Sequence, residues 1–109
     1  MTKVTIYKNE KEICVGFRAY GHAGYADEGE DIVCAAISIL TINTMNAIEK
    51  YTDTTASLVA DDEEGTIEFR IDNPSNETTL LLDTMILGLE TLADDENYAD
   101  FIDLTFEEV

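Results

Sequence analysis

The alternation of apolar and polar positions begins at once. Thr2 to Lys8 and Ile13 to Tyr20 read as two strands joined by the polar turn Asn9-Glu10-Lys11. In the second strand Ile13, Val15, Phe17 and Ala19 alternate with Cys14, Gly16, Arg18 and Tyr20, so the two sets face opposite sides of a sheet. Gly21 to Glu30 is a glycine-rich acidic loop. The period then changes to that of a helix. Asp31 is placed as its N-cap, with Ile32, Val33 and Cys34 in the first turn and the helix running to about Tyr51. Val33, Ala36, Ile37, Leu40, Thr44, Ala47 and Ile48 form one face, while Ile32, Ala35, Ile39 and Ile42 occupy much of the rest. A helix apolar nearly all round must be covered on more than one side, so one side is expected to face the sheet and the other a second subunit.

Thr55 to Ala60 and Thr66 to Ile71 form a hairpin around Asp61 to Gly65. Asn73-Pro74-Ser75 starts a second helix carrying Leu81, Met85, Gly88, Leu89 and Leu92, with proline suited to the first turn. Ile102, Leu104 and Phe106 alternate in a final strand. The expected fold is a single α+β domain over residues 1–109, a two-layer sandwich of a mainly antiparallel sheet and two helices in the order ββαββαβ.

Charge narrows the class of partner. Against 24 acidic residues stand 6 basic ones, a formal net charge of −18. This balance opposes binding to nucleic acid or anionic lipid, both of which need clustered Lys and Arg, and favours encounter with a basic protein. No apolar run reaches the ~18 residues expected of a membrane span, and the N-terminal strand lacks the apolar block of a signal peptide. A cytoplasmic location is therefore expected, with Cys14 and Cys34 as free thiols.

The chemistry concentrates between Gly21 and Ser38, where the only histidine, His22, is linked through the loop to Cys34. A thiol in a first helical turn sits in a positive local field, and a nearby imidazole would complete a nucleophile and its base. The histidine follows a strand end, a rigid launching point. Rival readings remain open. Zinc would need His22 and Cys34 joined by Asp27 or Asp31, with Cys14 as a further ligand, and neither CxxC nor HxxxH spacing is present. A redox thiol lacks the CxxC as well. A binding module with structural Cys and His, or an acyl-thiol enzyme acting on a thioester, would also accommodate these residues.

Gly21-His22-Ala23 followed by Gly29-x-Asp31-Ile32-Val33-Cys34-Ala35-Ala36-x-Ser38 closely resembles the signature of the ribosomal-processing cysteine proteases. The resemblance implies a bacterial endopeptidase, homodimeric and free of metal or organic cofactor. Its substrate would be the precursor of large-subunit ribosomal protein twenty-seven, trimmed of a Leu- and Phe-rich N-terminal extension after a Phe-Phe pair. On this likeness Cys34 matches the nucleophile and His22 its partner. Asp31 caps the helix and could orient His22, and Ser38, one turn beyond Cys34, could support the site. Gly21, Gly24, Tyr25 and Gly29 belong to a loop that would receive the substrate, with Tyr25 as an apolar wall. Helix-start N–H groups, that of Cys34 included, would serve as oxyanion donors. Cys14, expected to face away from the core set of its strand, has no base beside it and no role.

Overall fold

The computed structural model describes residues 1–21, 28–61, 63 and 65–109, with the backbone alone for 28–30. Its elements follow the order expected: β1 (Thr2–Lys8), β2 (Cys14–Tyr20), α1 (Glu28–Tyr51), β3 (Ala56–Asp61), β4 (Thr66–Ile71), α2 (Asn76–Asp94) and β5 (Ile102–Glu108), with a short 3-10 turn at Ala99–Phe101. The five strands form one sheet in the order β3-β4-β2-β1-β5. Every pairing is antiparallel except β1 with β5, which run parallel in register from Thr2–Ile102 to Lys8–Glu108. The architecture is α+β.

Alternation along the strands decides which face is dry. Val4, Ile6, Phe17, Ala19, Phe69, Ile71 and Ile102 point to one side of the sheet and are buried there against α1 and α2. The Phe17 and Phe69 rings, register partners on β2 and β4, lie with centroids 5.6 Å apart. Such a residue, fully removed from water, contributes about 1.5–3 kcal/mol. The helices supply Val33, Ile37 and Ile48 from α1 and Leu82, Met85, Ile86 and Leu89 from α2. At their crossing Gly88 leaves room for Leu40, whose Cδ2 would lie 2.8 Å from any Cβ added there.

Local chemistry sets the ends of α2. Ser75 is the N-cap: its hydroxyl accepts from the Thr78 N–H at 3.2 Å, and the Thr78 hydroxyl accepts from the Ser75 N–H at 2.8 Å. Pro74 therefore precedes the cap and is not in the first turn. In α1 the buried hydroxyls of Thr41 and Thr44 donate to the carbonyls of Ile37 and Leu40, at 2.9 and 2.7 Å, which satisfies them without a partner element. Over Asp31–Tyr51 the helix has a mean hydropathy of 1.5, enough by length and composition alone to cross a bilayer. One face of it, Val33, Ile37, Thr41, Thr44 and Ile48, is buried against the other elements, while Ile32, Ile39 and Ile42 are exposed.

Two further expectations are corrected. Helix α1 begins at Glu28, three residues before the residue expected to cap it. Asp31 is thus an exposed residue within the helix and not its cap, and Gly29 lies in the first turn and not in the loop. Cys14, expected to turn away from the core, is 1% exposed and belongs to it. The register shifts between Tyr7 and Lys8, a β-bulge that breaks strict alternation and swings Cys14 inward.

Candidate active site

The site is built where β2 ends and α1 begins. Beyond Tyr20, which pairs with Thr66, the Gly21 N–H donates to the Gly65 carbonyl at 2.9 Å. This adds one rung to the β2–β4 ladder and fixes the last described point of the backbone before His22. His22, Gly24 and Tyr25 lie outside the described residues.

Cys34 is the seventh residue of α1, in its second turn. It stands at the border between the buried face, represented by Val33 and Ile37, and an exposed one. Its thiol is free and its side chain partly exposed, so a reagent or peptide can approach it. Asp31 lies three positions before it and Ser38 four positions after, both exposed. The helical repeat therefore brings Asp31, Cys34 and Ser38 into one row along the same edge.

The earlier start of α1 changes the electrostatics expected at the sulfur. Free N–H groups and the dipole's field belong to the first turn of a helix, here Glu28 to Glu30. The Cys34 N–H sits inside the i→i−4 ladder, so it is not the free oxyanion donor expected of it.

Cys14 makes an instructive contrast. Its thiol donates to the Gly16 carbonyl at 3.4 Å within the core. Burial pushes this thiol above its ordinary value, and the charge of Asp83 on α2 adds to the effect. A sulfur held protonated among aliphatic side chains is inert. Of the two cysteines, only Cys34 is placed for chemistry.

Ser38 also edges a shallow groove of about 280 Å³ along α1, lined with Ile39, Ile42, Asn43 and Asn46. The isoleucines are large and open: Ile39 is 70% exposed, and Ile32 and Ile42 are 47% and 42% exposed. Gly65 was not singled out from the sequence. Its signal, a single glycine closing the acidic turn Asp61 to Gly65, does not reveal that it meets Gly21.

Residues 1–103 match the sequence model of the family described as cysteine protease Prp. The chain belongs to that family. It is a cysteine protease of the ribosomal-processing type. The ribosomal processing cysteine protease Prp of Staphylococcus aureus strain Mu50 is 34% identical over 88 residues, covering 80% of this chain and 81% of that protein. The fold agrees as well. The Prp protease of S. aureus solved in complex with a substrate peptide superposes with a TM-score of 0.89 at 29% identity, over 98% of this chain and 100% of that one. The same protease with a covalently linked product peptide gives a TM-score of 0.84 at 30% identity, over the same shares of the two chains.

Proposed function

We propose that this chain removes the N-terminal extension from the precursor of large-subunit ribosomal protein twenty-seven, with Cys34 as nucleophile and His22 as its base and acid. The observation that carries the reading is the covalently linked product peptide held by its S. aureus relative. A covalent link fits a nucleophile, and Cys34 is the one thiol among the described residues that a peptide can reach.

In the proposed reaction the Cys34 sulfur attacks the carbonyl carbon of the scissile peptide, forming a C–S bond and a tetrahedral oxyanion. Collapse breaks the C–N bond, and the His22 imidazolium gives its proton to the departing amine. The neutral imidazole then takes a proton from water, whose oxygen attacks the thioester and releases the acid and the thiol. Since the helix field is concentrated in the turn before Cys34, activation of the sulfur falls mainly to His22.

Asp31 and Ser38 flank Cys34 on the same helix edge, Asp31 to orient the imidazole and Ser38 to contact the substrate backbone. Gly21, Gly24, Tyr25 and Gly29 supply the segment that receives the peptide, with Tyr25 against its apolar side chains. The −18 charge steers a basic ribosomal protein toward the enzyme in the cytoplasm, and salt should slow that encounter more than the chemical step. The exposed row Ile32, Ala35, Ile39 and Ile42 is the surface proposed for a homodimer.

Incubation of the ribosomal precursor with wild type and with Cys34→Ala, read by intact mass, tests the substrate. A single cut after a Phe-Phe pair by wild type alone is expected. An uncut precursor would remove the reading.

A further inference from the structure

Just beyond the last strand pair of β2 and β4, two glycine backbones touch with no side chain between them. The Gly21 N–H donates to the Gly65 carbonyl at 2.9 Å. Gly65 has φ of +66°, in the left-handed region. A Cβ added to Gly65 would fall 2.9 Å from the carbonyl oxygen of Gly21 and 3.6 Å from its carbonyl carbon. Those two atoms belong to the peptide group that joins Gly21 to His22. The contact is one-sided, because a Cβ on Gly21 would meet the Gly65 carbonyl oxygen at an ordinary 3.6 Å. The constraint on the approach therefore lies at Gly65.

We propose that Gly65 is a positioning residue for the protease: its bare backbone sets the plane of the Gly21–His22 peptide, and through it the place from which the imidazole serves Cys34. This inference rests on the assignment of His22 and Cys34 made above. A methyl group pressing on that peptide oxygen must displace the peptide, the Gly65 turn, or both. Misplacement of a reacting group by about 1 Å costs on the order of a hundredfold in rate. The substrate need not touch Gly65 for this to happen, so the loss falls chiefly on turnover and only slightly, through Gly21, on binding.

Gly65→Asn tests the idea most cleanly, because asparagine accepts the left-handed conformation and leaves the added Cβ as the main change. Its kcat is expected to fall about ten- to a hundredfold while KM stays within about threefold. Gly65→Ala should fall at least as far. Ile67→Ala, which loosens the same hairpin from its core side, should keep its kcat. In wild type the Gly21 amide should exchange slowly with solvent deuterium.

A Gly65→Asn enzyme with wild-type kcat overturns the inference while leaving the protease reading intact. So does an equal loss in Ile67→Ala. If the Gly65 variants do not fold, the Gly21 amide decides, and free exchange there overturns it. Wild-type turnover that survives Cys34→Ala removes the parent reading, and this inference with it.

Discussion

A Cβ placed on Gly16 would lie 2.1 Å from the carbonyl oxygen of Phe69, on the neighbouring strand. The same missing side chain lets Arg70 reach across β2, so that its guanidinium sits 4.2 Å from the ring centroid of Tyr7. Backbone atoms cannot yield as a flexible side chain does. Gly16→Ala should therefore cost about 3 kcal/mol or more, read from the urea midpoint. An unchanged midpoint would show that the β2–β4 contact is looser than described.

Cys14 gives the fold a pH dependence. Burial raises its thiol pKa, so the folded state holds that proton more tightly than the unfolded chain does. The contribution is complete below the unfolded value of about 8.5 and is lost as pH rises through the folded value. Stability should fall with rising pH above about 8.5, and Cys14→Ala should reduce the slope there. An identical slope in that variant would assign the effect elsewhere, with Tyr7 the next group to examine. Its phenol is also raised, by burial and then by its hydrogen bond to Glu68.

Much of this fold was legible because alternation and helical period are local. The core faces of β2, α1 and α2 follow from residues such as Phe17, Val33 and Met85, each read within its own segment. The failures share a cause: they depend on something outside the segment. Cys14 turns inward because the pairing shifts at Tyr7 and Lys8 of the other strand. Glu28, Gly29 and Glu30 looked like loop because glycine is a poor helix former and Asp31 a good cap, yet two acids suit a first turn. At the candidate site, the shared helix edge of Cys34 and Ser38 was readable from helical spacing, while the turn in which Cys34 lies was not. The touch of Gly21 on Gly65 was not, because it is created by strands distant in sequence.

The open row on α1 predicts association. Ile39→Asp places a charge where the proposed partner sits and should shift the protein toward monomer in sedimentation at micromolar concentration, with little change in its melting temperature. Ile39 is 70% exposed within one chain, so the fold does not need it. A wild type that sediments as a monomer would contradict the proposed surface.

His22→Ala should lower kcat by about 10²–10⁴, the range of a positioned general acid–base group. The Cys34 thiol of this variant should still accept iodoacetamide, since the residue remains partly exposed. Full activity without the imidazole would mean that another group moves the proton.

The assignment of the nucleophile can be tested most directly by following cleavage of the precursor peptide and iodoacetamide labelling, mapped by mass, in the same sample. Activity should disappear in step with modification of Cys34, while Cys14 stays unlabelled in its core position. A chain carrying the label on Cys34 that still cuts the peptide at the wild-type rate would contradict the account.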